Sequence, residues 1–223
     1  MRILNYKSLL LYFAFAVFII SCKSKKQVIT QPLKTPSKIT KTQKKADNIM
    51  SEYLSLKYTN IINNKYAYVS IKHQYLFLIE NDSTIRKYPI STATNGIGTK
   101  ENSNKTPYGM HTIKEKIGEQ VPYAGILESR VYYGRKAKII SDKKNAKKDY
   151  VTTRIMWLQG EEYGINKGKN VDSYSRYIYI HGTPEEGFIG EPASHGCIRM
   201  KNTDVIEFFN LIEVGTPIYI LEN

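Results

Sequence analysis

From Tyr66 onward the chain alternates short β-forming runs with turn-forming residues, and within that body a single stretch carries a clear helical period. This pattern restricts the body to a mainly β fold. Tyr66–Ile71 is rich in β-formers, and Lys72-His73-Gln74 breaks it. Tyr75–Glu80 and Thr84–Ile90 flank Asn81-Asp82-Ser83, a turn-forming triplet, which predicts a hairpin. Further strands are predicted over Tyr108–Ile113, Tyr150–Trp157, Tyr174–Ile180 and Thr216–Leu221. The helix follows Lys201: Asn202 or Thr203 caps it, and Val205, Phe208, Phe209 and Ile212 recur at helical spacing. Gly215 and Pro217 then end it. Eighteen tyrosines suit half-buried strand faces, and β-propensity accounts for them without a sugar-binding groove.

Composition removes other classes. With 41% hydrophobic and 24% charged residues the chain can bury a core, which excludes wholesale disorder. No repeat of fixed period is visible, which argues against a solenoid. The net charge of +13 suggests nucleic acid until it is divided by position. Residues 1–45 hold Arg2 and nine lysines with no acidic residue, whereas residues 46–223 hold 23 basic and 20 acidic residues. The excess lies outside the body, so a nucleic-acid partner is not expected.

The N-terminus reads as an export signal over residues 1–21. Arg2 and Lys7 precede twelve consecutive apolar residues, Leu9–Ile20, short for a membrane span and suited to a secretory signal. Ser21-Cys22 follows, and an apolar run, a small residue and Cys resemble the lipobox of bacterial lipoproteins. Ile19 and Ile20 depart from the commoner leucine-then-small pattern. The resemblance implies a lipidated Cys22, a membrane anchor and a place in the cell envelope or periplasm. An ordinary cleaved signal, or an uncleaved anchor with Cys22 a bystander, is the plainer alternative. Residues 23–45 are rich in Lys, Thr, Gln and Ser with Pro32 and Pro36, the composition of a solvated tether. Fully extended it would reach roughly 75–80 Å. Ile49, Tyr53 and Leu56 predict a short helix before the body. The expected organisation is a signal over 1–21, a lipidated Cys with tether and helix over 22–65, and one domain over 66–223.

The chemistry concentrates between residues 181 and 199. Cys22 and Cys197 are the only cysteines. If Cys22 carries lipid, Cys197 is a free thiol in an oxidising compartment, which calls for a chemical reason to keep it. A thiol attacks carbonyl carbon as the thiolate, and an imidazole within hydrogen-bond reach can take its proton. His181 and His195 are the candidates; His73 and His111 lie far away in sequence. His195 is only two residues before Cys197, where short local geometry often prevents contact, so His181, from the end of a separate strand, is the expected base. Gly196 lets backbone amides turn toward a ligand. His181, His195 and Cys197 could also hold zinc, but there is no C-x-x-C and no fourth ligand at usual spacing.

The pattern His181-Gly182-Thr183, twelve residues between His181 and Ser194, then Ser194-His195-Gly196-Cys197-Ile198-Arg199-Met200 resembles the active-site signature of the YkuD-type (ErfK/YbiS) L,D-transpeptidase catalytic domains. Lys105–Ile113 resembles that family's TPxG strand, and the Tyr75–Ile90 hairpin sits where the family has one. The resemblance covers about residues 66–221. It implies a β-sandwich or barrel with one short helix after the cysteine. It implies Cys197 as nucleophile, His181 as general base and acid, the Gly182 carbonyl orienting the imidazole, and amides at His195, Gly196 and Cys197 binding an oxyanion. Ser194, His195 and Arg199 would shape the site or the substrate carboxylate contacts; some members carry Asn in place of Arg199. It implies no cofactor and no metal. The implied substrates are peptidoglycan stem peptides, a tetrapeptide donor and an amine acceptor, joined 3→3 through a thioester. An L,D-carboxypeptidase or endopeptidase using the same residues, and a catalytically silent wall-binding lipoprotein, are the competing functions.

Other features have two readings. Trp157, Glu161, Glu162 and Tyr163 form either a lid or ordinary strand and loop. Lys143–Lys148 is expected to be a solvated loop, and so are Glu185 and Glu186, which could otherwise steer substrate.

Overall fold

Short turns with left-handed backbone set where the strands begin and end. In the computed structural model, which describes Glu52 and residues 65–223, Asn81 and Asp82 adopt φ 50° and 56°. These residue types tolerate that region, and a two-residue turn of this kind matches strand twist. It joins β2 (Tyr75–Glu80) to β3 (Ser83–Ser91) as the predicted hairpin. Around them lie β1 (Lys65–Ser70), β4 (Gly109–Ile117), β5 (Gly125–Glu128), β6 (Val131–Lys136), β7 (Thr152–Gly160), β8 (Tyr179–Gly182), β9 (Ile198–Met200) and β10 (Pro217–Leu221). A helix, α1 (Asn202–Leu211), separates β9 from β10. The expected signal, Cys22 and tether lie outside the described residues. Glu52, in the stretch where a short helix is expected, is helical. Among the described residues no helix is long and apolar enough to cross a membrane.

The strands follow the order β4-β10-β1-β2-β3-β9-β8-β7, and β7 pairs again with β4, so the sheet closes on itself. Closure removes free edges from these eight strands. The β5–β6 hairpin hangs from the start of β7. Most neighbours are antiparallel, but β1 with β10 and β8 with β9 run parallel. The mainly β, barrel-like class with one short helix after the cysteine is therefore the fold of the protein.

Alternation along the strands divides the side chains into two sets. One set, including Val69, Leu78, Ile90, Met156, Leu158, Ile180, Ile198, Met200 and Ile220, forms the main core. Val205, Phe208, Phe209 and Ile212 of the helical segment complete that core. Phe208 is fully buried, its ring edge-to-face with Tyr88 at 5.8 Å.

Two sequence expectations need correction. Neither Asn202 nor Thr203 caps α1: Lys201 is the N-cap and makes no side-chain cap bond. The amide of Asn202 instead donates to Glu186 Oε1 at 2.8 Å, so a distant carboxylate replaces the local cap. The strand expected from Tyr174 begins only at Tyr179. Before it, the Asp172 carboxylate accepts the amides of Gly168 and Ser175, which fixes turns. The β5–β6 hairpin was not foreseen, because its turn, Ser129-Arg130, carries no Gly, Asn or Asp.

Phe208→Ala leaves a cavity between α1 and the barrel. Its expected cost is about 3–5 kcal/mol, read as the loss of unfolding free energy in a denaturant titration. A loss below about 1 kcal/mol would contradict this packing.

Candidate active site

The parallel pairing of β8 and β9 is in the register Ile180↔Ile198, His181↔Arg199 and Gly182↔Met200. Paired residues share a face, so Ile180, Ile198 and Met200 enter the core while His181 and Arg199 occupy the opposite face. Cys197 lies two residues before Arg199 and packs on that same face with Ile155, Trp157 and Tyr179. His181 and Cys197 thus stand diagonally across the two strands on one face, and Asp149 and Arg199 act on both.

His181 is buried, and its Nδ1–H donates to the Gly182 carbonyl at 2.7 Å. A carbonyl only accepts, so this bond fixes the tautomer and leaves Nε2 as the basic nitrogen. Gly182 has no room for a side chain: an added Cβ would stand 2.7 Å from Thr152 O and 2.8 Å from Asn202 Oδ1. Asn202 is fully buried; it accepts the hydroxyls of Thr152 and Thr153 and donates to Thr183 O at 2.7 Å. It ties β7, the end of β8 and α1 together beneath the imidazole.

The Cys197 turn is held from within. Ser194 is buried; its hydroxyl donates to Cys197 O at 2.6 Å and accepts Gly196 N–H at 3.2 Å. Gly196 has φ 137°, a conformation side chains rarely adopt. The sulfur makes its hydrogen bonds with main chain: Tyr179 N–H donates to Sγ at 3.4 Å, and S–H donates to Tyr177 O at 3.4 Å.

Arg199 is a buried charge bound by two carboxylates. Nη1 donates to Glu185 Oε2 at 2.9 Å, and Nη2 pairs with Asp149 Oδ2. The same Asp149 oxygen lies 3.0 Å from His195 Nδ1, whose ring is exposed. Glu185 also accepts Ala146 N–H at 2.7 Å. Two negative charges therefore flank one positive charge behind the thiol and imidazole.

Both reactive groups are uncharged at rest. Burial pulls His181 down to about 4, against the opposing pull of the Gly182 carbonyl and Asp149. Burial pushes the Cys197 thiol up to about 11, opposed by the Tyr179 amide and by the charges of Arg199 and Arg176. Burial also pushes the Asp149 carboxyl upward, but Arg199, His181 and the His195 bond outweigh it and hold it below the usual carboxylate range.

The structure therefore brings His181, Gly182, Ser194, Gly196, Cys197 and Arg199 into one site, with His195 at its rim. Ser194 and Arg199 are occupied by loop and carboxylate partners, so any shaping they do is internal. Glu185 and Glu186 are not in a solvated loop: one neutralises Arg199, and the other binds the first turn of α1. Lys143, Lys144, Lys147 and Lys148 are exposed as expected. Glu161 accepts Thr112 and pairs with Lys167, and Glu162 accepts Met110 N–H, so these carboxylates brace β4 instead of forming a lid. Of that group, Trp157 alone reaches the site. Asp149, Tyr177 and Tyr179 were missed; nothing in their local sequence signals proximity to the thiol. Among the described residues no group of three or more His, Cys, Asp or Glu side chains could hold a metal.

The protein is a closed β-barrel that carries a cysteine and an imidazole on one sheet face, the imidazole held by a backbone carbonyl. Residues 64–220 match the family model of the YkuD L,D-transpeptidase catalytic domain. The chain belongs to that family. It is similar to a Bacillus subtilis (strain 168) protein named L,D-transpeptidase YkuD, 41% identical over 70 residues, 27% of this chain and 43% of that protein. It is also similar to one named L,D-transpeptidase YqjB of the same organism, 46% identical over 48 residues, 22% of this chain and 27% of that protein. The matched segments thus span less than half the length of these relatives. Among solved structures, an L,D-transpeptidase from Mycobacterium smegmatis aligns at TM-score 0.45 and 20% identity, over 71% of this chain and 58% of that one. An L,D-transpeptidase from Mycobacterium tuberculosis H37Rv aligns at TM-score 0.44 and 18% identity, over 71% and 58%.

Asp149→Asn leaves buried Arg199 with one carboxylate. The expected cost at pH 7 is about 1–2 kcal/mol. Because the folded carboxyl titrates below its unfolded value, this contribution is complete above the unfolded value and fades as pH falls through the folded one. Denaturant titrations of wild type and variant should therefore differ at pH 7, and the difference should shrink as pH falls below the ordinary carboxylate range. In the free protein, alkylation of Cys197 by iodoacetamide should rise steadily with pH from 7 to 10. A plateau beginning below pH 8 would reveal a preformed thiolate–imidazolium pair and contradict the neutral pair.

Proposed function

We propose that the protein is a peptidoglycan L,D-transpeptidase that forms 3→3 cross-links through a Cys197 thioester. The observation that carries this reading is the shared face of His181 and Cys197, with Nδ1–H fixed on Gly182 O and Nε2 left basic.

The chemistry follows from that geometry. The S–H turns from the Tyr177 carbonyl toward Nε2, which takes the proton as Sγ attacks the carbonyl carbon at the L-centre of diaminopimelate. Transfer occurs with substrate bound, because the resting pair is neutral. Negative charge then gathers on the substrate oxygen. Gly196 N–H already serves Ser194, so the amides of His195 and Cys197 are the donors best placed to receive it. The Asp149 carboxylate favours the imidazolium formed at the same moment. Collapse breaks the bond to D-Ala, His181 returns the proton to the leaving amine, and a thioester remains. An acceptor amine attacks the thioester and gives its proton to Nε2; Sγ leaves and recovers that proton. The peptide bond broken is replaced by the peptide bond formed, so no external energy source enters. The reading includes a lipid on Cys22 and the tether over residues 23–45, which together would hold the domain on the wall.

Purified disaccharide–tetrapeptide muropeptides incubated with the protein should yield cross-linked dimers and free D-Ala by mass analysis. Cys197→Ala should abolish both. Shortened monomers without dimers would identify a hydrolase on the same site. Absence of any Cys197-dependent product would overturn the reading.

A further inference from the structure

The turn that joins β5 to β6 is unusual. Register Glu128↔Val131 leaves a two-residue loop, Ser129-Arg130, with φ 48° and 70°. Asn-Gly is the usual choice for such a turn, and an arginine there carries backbone strain. The strain places the side chain in a defined position. The guanidinium carbon lies 4.9 Å from the Trp157 ring centroid and 5.4 Å from that of Tyr177. Nη1 donates to Tyr179 Oη at 3.3 Å. Trp157 is the base of this platform, with Tyr174 and Tyr177 stacked on it at 4.2 and 5.4 Å and Tyr179 edge-on at 5.3 Å.

The same two tyrosines hold the sulfur. The Tyr177 carbonyl accepts S–H and the Tyr179 amide donates to Sγ, so one side of each residue faces the thiol and the other faces Arg130. Arg130 and Cys197 thus meet the same two tyrosines, one through their side chains and the other through their backbone. The other arginines near the thiol are occupied: Arg199 by Asp149 and Glu185, Arg176 by the carbonyls of Thr99 and Lys105. The acidic group felt by Arg130 is Glu115, which already accepts the Tyr174 hydroxyl at 2.5 Å. With one of its five N–H groups on Tyr179, Arg130 keeps donors for a planar, two-oxygen partner.

We propose that Arg130, seated on the Trp157–Tyr177–Tyr179 platform beside Cys197, is a specificity-determining residue that binds a carboxylate of the peptide substrate next to the reacting residue. This rests on the peptide-transfer reading above. The carboxylate belongs either to the acyl donor or to the amine acceptor, and the test separates them.

Trp157 is the chain's single tryptophan, so its fluorescence reports the platform directly. In a Cys197→Ala background, tetrapeptide muropeptide should give a saturable fluorescence change. Adding Arg130→Asn, which suits the left-handed turn, should weaken that binding about tenfold or more, with Arg130→Lys between the two. Donor with its carboxylates amidated should bind the Arg130 protein and the Arg130→Asn protein equally weakly. In turnover with Cys197 present, Arg130→Asn should raise the donor KM more than it lowers kcat. If the carboxylate is the acceptor's, donor binding and acyl-enzyme formation stay unchanged while the acceptor KM rises by the same factor. Unchanged binding and KM for both peptides in Arg130→Asn would overturn the proposal while leaving the transferase reading intact. Arg130-dependent binding without any Cys197-dependent product would overturn the transferase reading and keep the carboxylate subsite.

Discussion

Three parallel pairings between β8 and β9 decide where the chemistry sits. They align Ile180 with Ile198 in the core, so that His181 and Arg199 emerge together on the other face with Cys197 beside them. A slip of one residue in this register would send the imidazole into the core and an isoleucine to the site. The register is secure because Ile180, Ile198 and Met200 bury the opposite face in the core with Val205 and Phe208 of α1. Gly182 and Asn202 make the alignment tighter still, since β8 must approach Thr152 and Asn202 too closely for any side chain at 182.

The charges behind the reactive pair form a second constraint. Arg199 could not stay buried alone, because an unpaired guanidinium in that position would cost several kcal/mol. Glu185 arrives from the β8–β9 connection and Asp149 from the end of the lysine-rich loop. Asp149 favours a protonated His181 and disfavours a thiolate at Cys197, while Arg199 acts in the opposite sense on both. That balance suits a site whose proton moves only when a substrate arrives. It also links a solvated loop to the catalytic strands, through one carboxylate at its end.

The aromatic wall is the third element. Trp157, Tyr174, Tyr177 and Tyr179 come from β7, from the turns before β8 and from β8 itself. Two of these residues touch the sulfur through their backbone and Arg130 through their rings. The Cys197 sulfur and the cationic hairpin tip are therefore positioned by the same residues.

Much of this protein is written in local sequence. Alternating β-formers, the Asn81-Asp82 turn and the Val205–Ile212 period dictated strands, a hairpin and a helix, because propensity and side-chain spacing act over a few residues. The His-Gly-Thr and Ser-His-Gly-Cys motifs singled out His181 and Cys197, which the structure places on one face of the sheet. The cap of α1, the β5–β6 hairpin, the partners of Arg199 and the platform under Arg130 were decided by tertiary structure. Apart from the hairpin, whose turn lacks the usual residue types, each depends on groups distant in sequence, such as Glu186 with Asn202 or Asp149 with Arg199, that meet only in the folded barrel. Long-range pairing carries no local spacing signal, so the folded sheet alone could assign Asp149, Glu185, Tyr177 and Arg130 to the site.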